Sequence, residues 1–347
     1  MDGRENGALI AMSGGVDSSV AAHLMLEAGY SPCAGVTMKL FNNEDDAEDA
    51  RSAACALGVP HCVFDCAETF RQSVMEPFVR AYESGRTPNP CVECNRRLKF
   101  GAFFRRADEL GYRYIATGHY ARIERDEATG RYLLKKALDA SKDQSYVLYM
   151  LTQEQLSRVR FPLGRLRKSE TRAIAEKLGL CSARKRESQD ICFIPDGDFP
   201  AFLARWNGKA YPEGDFLDPE GAVIGRHRGA AAYTLGQRRG LGLPMGERVY
   251  VVGKDMAANT VTVGPEKLLF RDKLTAEGMN WIVPPPEGPF RAFAKIRYRA
   301  PEAPATVTPL GGGAARVTFD QPQRAVTPGQ AVVLYDGDMV LGGGTIQ

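Results

Sequence analysis

Short apolar runs alternate with helical patterns through the first third of the chain, and this alternation constrains the fold more than any other feature. The strand-like runs are GALIAM, CAGVTMKL, PHCVFD and YIATGHY, and helix-like segments separate them. Such alternation predicts a parallel sheet with helices on both faces. Ligands of these sheets bind beyond the carboxyl ends of the strands. We therefore expect a ligand site where these runs end.

The pattern changes after about Pro200, where Gly- and Pro-rich segments replace the helical period. Beyond VPPPEGP (283–289), predicted to be a linker, the remaining segments are typical of short antiparallel strands. We predict an α/β architecture in three parts. A parallel-sheet nucleotide-binding domain covers 1–199, a small mixed domain covers 200–274, and a C-terminal β-barrel covers 275–347.

Composition narrows the functional class only slightly. No run of ~18 apolar residues occurs, and the N-terminus lacks the layout of a secretory signal. We therefore expect a cytoplasmic protein with no membrane partner, whose eight cysteines are reduced. The 45 basic and 42 acidic residues give a net charge of +3, which does not decide whether nucleic acid is bound.

The segment MSGGVDSSVAA follows the first predicted strand and opens a helix. Gly14 and Gly15 permit a tight turn, and a helix N-terminus favours a bound phosphate. The loop lacks the Gly-Lys-Ser/Thr of a Walker A motif, and so lacks its phosphate-binding lysine. It resembles the loop of the ATP pyrophosphatase superfamily, which implies binding of the β,γ-pyrophosphate of ATP and places Asp17 beside Mg²⁺. An ordinary strand–turn–helix corner is the alternative.

Three cysteines stand apart from the others. Cys91 and Cys94 form a C-x-x-C in a proline-stiffened loop just before a basic run, and Cys192 lies in the polar segment SQDICFI. A helix start and nearby cations favour the reactive thiolate. No second C-x-x-C completes a four-ligand site, so a structural zinc is not favoured. Cys33, Cys55, Cys62 and Cys66 are interpreted as packing residues, and nothing in the sequence distinguishes Cys181.

Seven motifs occur in order along the whole chain: SGGVDSS, GRTPNP with CN and KFG, ATGHYA, KDQSYVLY, SQDICFI, YTLGQRRGLG and TPGQAVV. Together they resemble the tRNA-specific 2-thiouridylase family, the tRNA-uridine 2-sulfurtransferases, whose nucleotide-binding domain is adenine nucleotide alpha hydrolase-like. The resemblance implies that ATP adenylates the C2 oxygen of the wobble uridine, expected in Lys, Glu and Gln tRNAs. Sulfur then replaces that oxygen, giving 2-thiouridine, AMP and pyrophosphate. The implied partners are tRNA and a sulfur donor, either a cysteine desulfurase or a relay protein.

The resemblance also assigns roles to individual residues. Cys192 carries a persulfide, and Cys94 resolves it through a transient Cys94–Cys192 disulfide. The implied ATP-binding residues are Ala11, Met12, Ser13, Gly14, Gly15, Val16, Asp17, Ser18, Met38 and Gly118. The implied tRNA-binding residues are Asn89, Pro90, Cys91, His119, Lys142, Asp143, Gln144, Arg297, Tyr298 and Gln330.

Cys91 departs from the family pattern, because many members have at this position an aspartate that is assigned a general-base role. Cysteine has a higher pKa and is a poorer base near neutrality. In one explanation Cys91 is an accessory thiol. In the other, Cys91, Cys94 and Cys192 hold a 4Fe–4S cluster with one open iron, since thiolates suit such ligation. The sequence does not choose between them.

Two other functions share parts of this pattern. Another ATP pyrophosphatase, such as an amide-forming or tRNA-lysidine-type synthetase, has the same glycine loop but needs no persulfide. A tRNA- or iron–sulfur-binding protein without catalysis would release no pyrophosphate from ATP. Basic islands such as RVRFPLGRLRKSETR and GRHRG suit RNA phosphates, although each taken singly is also typical of a solvated face.

Overall fold

The computed structural model describes residues 5–41, 44–180, 191–208, 210–244 and 246–347. Cys181 and the basic run at 184–187 lie outside the described residues. The helices are α1 (Val16–Glu27), α2 (Glu44–Ala56), α3 (Ala67–Phe70), α4 (Glu76–Glu83), α5 (Pro90–Cys94), α6 (Phe103–Glu109), α7 (Gln153–Arg158), α8 (Lys168–Lys177) and α9 (Phe199–Asn207). None of these described helices is both long and apolar enough to cross a bilayer.

The strands of the α/β domain are β1 (Ala8–Ala11), β2 (Cys33–Lys39), β3 (His61–Asp65), β4 (Tyr114–Ala116), β5 (Arg122–Arg125), β6 (Tyr132–Lys135) and β7 (Val159–Arg160). Those that follow are β8 (Gly214–Leu217), β9 (Val223–His227), β10 (Tyr250–Asp255), β11 (Thr260–Gly264), β12 (Phe270–Trp281), β13 (Phe290–Lys295), β14 (Ala303–Gly311), β15 (Ala314–Arg324), β16 (Ala331–Asp336) and β17 (Met339–Ile346).

The predicted parallel sheet is confirmed, with strand order β3-β2-β1-β4-β7 and parallel pairing throughout. Its central strand β1 is almost completely buried, as the apolar run GALIAM predicts for a strand covered on both faces. The expected strand YIATGHY is shorter than predicted. β4 ends at Ala116, so Thr117 to Tyr120 form a loop at the carboxyl edge of the sheet.

The C-x-x-C lies in a helix and not in the loop that the prolines suggested. Asn89 caps this helix, since its Oδ1 accepts a hydrogen bond from the Cys91 amide at 3.1 Å. Pro90 occupies the first helical position, where a missing N–H costs nothing. A π-helical stretch, Asn95–Ala102, joins α5 to α6, so the two cysteines begin one long helical segment.

The middle of the chain forms its own four-stranded sheet, with strand order β10-β11-β8-β9. Its small core centres on Phe216, Tyr233 and the valines of β10 and β11. The segment VPPPEGP, predicted as a linker, instead forms the loop between β12 and β13, within the C-terminal sheet.

The C-terminal sheet is a closed barrel, as predicted. Its order is β12-β15-β14-β13-β16-β17, and β12 pairs with β17 to close the ring. The hairpin β5–β6 of the α/β domain extends the same sheet, because Lys135 pairs with Met339 of β17. Asn280 of β12 strengthens this junction by donating to the carbonyls of Tyr149 and Leu151 at 2.6 and 3.0 Å. The barrel is therefore joined to the α/β domain by backbone pairing as well as by side chains.

Candidate active site

The glycine loop lies between β1 and α1 and presents free backbone donors. Gly14 has φ of +70°, and a Cβ there would stand 2.6 Å from the Asp46 carbonyl oxygen, so only glycine fits. Within the described residues, the amides of Gly14 and Gly15 have no hydrogen-bond acceptor. No side chain caps the start of α1. These free donors, together with the helix dipole, make this turn an anion site.

The Asp17 carboxylate, in the first turn of α1, is held by two residues from distant segments. The Lys168 ammonium, at the start of α8, lies 2.6 and 2.8 Å from its two oxygens. The Tyr120 hydroxyl donates to Asp17 Oδ1 at 2.9 Å. The loop therefore has a lysine beside it after all, supplied by α8. Sequence reasoning assigned Lys168 only to a basic island, although the missing Walker lysine was a signal to search for a substitute.

Gly118 packs directly against the glycine loop. A Cβ at this position would lie 2.8 Å from the Asp17 carbonyl carbon and 2.9 Å from the Ser18 amide nitrogen. Met12 is buried in the core behind the loop, and Met38 is half-buried at the end of β2. The predicted ATP-binding residues thus converge on one edge of the sheet, at the ends of β1, β2 and β4.

Cys94 and Cys192 come together although they are far apart in sequence. Cys94 is buried in a cluster that also contains Phe193 and Ile194, which directly follow Cys192. Thiolate charge at Cys192 or Cys91 raises the pKa of Cys94, an electrostatic effect that requires the three sulfurs to be near one another. All three are free thiols.

The electrostatic state of these thiols differs from the expectation of stabilised thiolates. Burial raises the pKa of Cys94 to about 11. Desolvation by neighbouring atoms also raises the pKa of Cys91 and of Cys192, although both side chains keep exposed surface. The cation that opposes this effect at all three is Lys99. Desolvation outweighs this cation, so the resting site holds neutral thiols.

Cys66 is a residue whose position the sequence interpretation missed. It was assigned to packing, yet its charge also acts on Cys94, and it packs against the Cys94 cluster. Burial raises the pKa of Cys66 as well. Its place immediately after β3, at the ligand-binding edge of the sheet, was the available signal.

The three cysteines do not form a ready metal site. Across the described ranges, no three His, Cys, Asp or Glu side chains are grouped so that they could hold a metal ion. The donor set of a 4Fe–4S cluster is therefore not arranged in this structure.

One predicted tRNA-binding residue of the barrel, Gln330, contacts the segment before the C-x-x-C. Gln330 Nε2 donates to the carbonyls of Thr87 and Pro88 at 2.8 and 3.3 Å. Tyr298 is partly exposed, and thiolate charge at Cys91 contributes to its raised pKa, after burial and Asp143. Arg297 donates to the backbone carbonyls of Arg324 and Ala325.

The other predicted tRNA-binding residues lie around the loop after β4. His119 is buried, its Nδ1 is 2.7 Å from the Thr117 hydroxyl, and burial lowers its pKa well below the ordinary value. Gln144 is bonded to the backbone of Tyr120 in both directions, at 2.8 and 2.9 Å. The Asp143 carboxylate accepts the Ala137 amide at 2.9 Å, so it is anchored inside the protein. Lys142 follows on the same turn and is half-buried.

Comparison with known proteins agrees with this geometry. Residues 7–196 match the family described as tRNA methyl transferase HUP domain. Residues 200–265 match the family described as tRNA methyl transferase PRC-barrel domain. Residues 271–346 match the family described as aminomethyltransferase beta-barrel domain. The chain is 51% identical to the tRNA-specific 2-thiouridylase MnmA of Syntrophotalea carbinolica, over 97% of each chain. It is 49% identical to that of Symbiobacterium thermophilum, over 98% of this chain and 91% of the relative. It is 44% identical to that of Clostridioides difficile, over 98% and 97%. The chain therefore belongs to the tRNA-specific 2-thiouridylase family.

Proposed function

We propose that this protein is an ATP-dependent tRNA sulfurtransferase that converts the wobble uridine to 2-thiouridine. The observation that carries the proposal is the meeting of two distant thiols, Cys94 and Cys192, in the domain that holds the glycine loop. An amide-forming synthetase with the same loop has no use for such a pair. The expected substrates of this sulfurtransferase are Lys, Glu and Gln tRNAs. A cysteine desulfurase or a relay protein supplies the sulfur.

The glycine loop and the residues beside it carry out the adenylation step. The free amides of Gly14 and Gly15 bind the β,γ-pyrophosphate, and Lys168 is placed to neutralise it after leaving Asp17. Mg²⁺ bound to ATP phosphates usually needs only one or two carboxylates, a requirement that Asp17 fits, and the ion would neutralise phosphate charge. The uridine C2 oxygen attacks the α-phosphorus, and pyrophosphate leaves. The oxygen is thereby converted into part of a good leaving group, AMP.

Sulfur transfer is the work of the two cysteines. The terminal sulfur of a Cys192 persulfide attacks C2 and displaces AMP, which leaves a C2–S–S–Cys192 linkage. The Cys94 thiolate then attacks the Cys192 sulfur, so the S–S bond breaks and its electron pair passes to the 2-thiouridine. A Cys94–Cys192 disulfide remains, and an external dithiol reductant restores both thiols for the next cycle.

The proposed tRNA contacts divide into two groups. Asn89, Pro90 and Cys91 lie at the start of α5, which carries the C-x-x-C, and together with Lys142 and Tyr298 they border the target base. His119, Asp143, Gln144, Arg297 and Gln330 are bonded within the protein, so they shape the surface on which the anticodon stem rests. Cys91 is an accessory thiol in this scheme.

We also propose the domain boundaries 1–199, 200–274 and 275–347.

The test is 2-thiouridine formation in a tRNA transcript supplied with ATP, Mg²⁺, a persulfide donor, a dithiol and iron-free protein. Turnover is expected without iron. Cys94→Ser and Cys192→Ser should each abolish it, whereas Cys55→Ser, at an exposed thiol, should leave it unchanged. Pyrophosphate release should persist in the two inactive variants. Thiolation by Cys94→Ser, or a requirement for iron and sulfide, would refute the proposed route.

A further inference from the structure

The middle domain contains a cleft that the proposed chemistry does not use. It encloses about 440 Å³ and is lined by Glu213, Arg226, His227, Arg228, Tyr233 and the segment 240–242. A second depression of about 220 Å³ shares the segment 240–242 and adds Arg238 and Arg248. The two cavities therefore form one continuous surface feature.

The wall of this cleft includes a buried donor with no acceptor. His227 is 3% exposed, and its Nδ1 accepts the Gly229 amide at 3.0 Å, so the ring proton lies on Nε2. That Nε2 has no hydrogen-bond partner among the described residues. The ring is held between Phe216 and Tyr233, at centroid distances of 5.1 and 5.5 Å. Burial lowers the pKa of this imidazole, against the opposing effects of the Asp215 charge and the Asn259 backbone, so the ring is a neutral, buried part of the cleft wall and not a donor open to solvent.

Four arginines line the two depressions, Arg226 and Arg228 in the first and Arg238 and Arg248 in the second. Arg228, Arg238 and Arg248 are exposed and make no ion pair with any described residue. Arg226 differs, because Asp215 holds it at 2.6 Å. The arginines without partners leave a local positive charge that the small net charge of the chain does not reveal.

The glycine-rich rim adds backbone donors. Gly240 and Gly242 have φ of +73° and +68°, a conformation that L side chains rarely adopt. In the part of the chain that the structure describes, the amides of 240–242 have no acceptor. Guanidinium and amide donors thus line the two depressions beside the carboxylates of Glu213 and Glu247, and the arginines outnumber these carboxylates four to two, which favours an oxyanion with several acceptor oxygens.

The segment that leads to the cleft contacts the barrel beside a proposed tRNA-binding residue, Arg297. Gly236, at the start of the turn that leads to the cleft, lies against Ala325, where a Cβ would come within 2.9 Å. Arg324 donates to the Gly236 carbonyl at 3.5 Å, and Arg297 donates to the Ala325 carbonyl. A polyanion lying along the barrel would therefore reach the cleft without crossing another domain.

We propose that this cleft binds backbone phosphates of tRNA, at a position distinct from the wobble base. This inference rests on the proposed function, since it takes tRNA as the substrate. A phosphodiester supplies acceptor oxygens for Arg228, Arg238, Arg248 and the 240–242 amides. An extended chain of phosphates also accounts for two adjoining depressions.

The test compares binding of a glutamate tRNA transcript to the wild type and to the triple variant Arg228→Ala, Arg238→Ala, Arg248→Ala, over a series of KCl concentrations. Each lost phosphate contact should reduce the slope of log K against log [salt] by about 0.7 to 0.9. The triple variant should bind at least tenfold more weakly and show the smaller slope. Arg105→Ala, at an exposed arginine of α6 with no ion pair to a described residue, is the control and should change neither.

Backbone footprinting of the bound tRNA locates the contact. The triple variant should lose one protected stretch and retain protection of the anticodon loop, and it should retain its wild-type melting temperature. An unchanged affinity and slope would overturn the proposal. So would unchanged tRNA binding combined with slower sulfur delivery from a protein donor, because the cleft would then serve that protein. Failure of the wild type to thiolate would refute the proposed function, whereas the salt slope still tests the cleft.

Discussion

Gln330, in the barrel, donates its side-chain amide to the carbonyl oxygen of Thr87 at 2.8 Å, across 243 residues of sequence. The Thr87 amide in turn donates to the Pro328 carbonyl at 2.9 Å. Thr87 precedes the cap of α5 and therefore the C-x-x-C. The barrel thus fixes the start of the helix that carries the proposed nucleophile.

Replacement of Gln330 by alanine should loosen this start. Loss of the hydrogen bond should lower the free energy of unfolding by about 0.5 to 1.5 kcal/mol. Cys94 should then react faster with iodoacetamide, because its burial depends on a fixed α5. The control is Gln323→Ala, since the Gln323 side chain donates to the nearby Gln321 carbonyl, two residues away on the same strand. Equal alkylation rates in the two variants would show that the barrel does not position α5.

Lys168 should affect the ATP-dependent release of pyrophosphate and not the loading of sulfur onto Cys192. A charge-assisted hydrogen bond contributes about 1.5 to 3 kcal/mol, so Lys168→Ala should reduce kcat/KM for ATP-dependent pyrophosphate release about ten- to a hundredfold. Persulfide loading of Cys192 should be unaffected. Lys177→Ala, at the exposed end of the same helix, is the matched control. Loss of persulfide loading in Lys168→Ala would instead indicate a general structural defect.

The pH dependence of thiol reactivity follows from burial of Cys94. Because burial raises its pKa to about 11, the thiol is neutral at pH 7. Its thiolate fraction should rise about tenfold per pH unit up to that pKa. Alkylation of Cys94, corrected with Cys94→Ser, should therefore accelerate steadily from pH 7 to pH 10. A plateau near pH 8 would contradict the burial described here.

The raised pKa of Cys94 also determines how this thiol changes the free energy of unfolding with pH. The folded pKa of Cys94 lies above the unfolded value of about 8.5. The contribution of this thiol is therefore complete below the unfolded pKa and is lost as pH rises through the folded one. Cys94→Ser should remove that alkaline loss from the denaturation profile.

Lys99 is expected to support thiolate formation at Cys94. It lowers the pKa of Cys91, Cys94 and Cys192 against the larger effect of burial. Lys99→Met should raise the pKa of Cys94 further and slow its alkylation at pH 8. Arg97→Met is the control, because Arg97 is exposed and lies 3.6 Å from Glu93. If Arg97→Met slows the alkylation of Cys94 and Lys99→Met does not, Arg97 and not Lys99 supports the thiolate.

Gly118 should tolerate no side chain. A Cβ would lie 2.8 to 3.1 Å from backbone and side-chain atoms of Asp17 and Ser18, and such overpacking costs about 1 to 3 kcal/mol. Gly118→Ala should lower the melting temperature and weaken ATP binding together, measured by calorimetry. Gly246→Ala, where no atom lies within 4 Å, should leave both unchanged.

The sheet and the glycine loop were predictable because their signals are local. Apolar runs of strand length and a glycine turn before a helix depend on neighbours in sequence, and the structure has them where the pattern placed them. The C-x-x-C segment was predicted to be a loop because its prolines dominate the pattern. The Asn89 cap and the first-turn tolerance for Pro90 make it a helix instead.

The site itself was less predictable because it depends on contacts between distant segments. Lys168 reaches Asp17 across 151 residues, and no spacing rule marks that contact. The pKa values of the thiols were unpredictable for the same reason. Cations beside Cys91 and Cys94 in sequence suggested thiolates, but the degree of burial, which only the fold determines, reverses the direction of their pKa shifts.

The hairpin β5–β6 carries a further consequence for how this chain can be divided. Since Lys135 pairs with Met339, the α/β domain lends its hairpin to the barrel sheet. A fragment cut before β12 would leave that hairpin with an unsatisfied edge, which is a common origin of aggregation. The barrel fragment would likewise expose β17 where β6 had covered it. Removal of the C-terminal quarter of the chain is therefore expected to make the α/β domain more prone to aggregation.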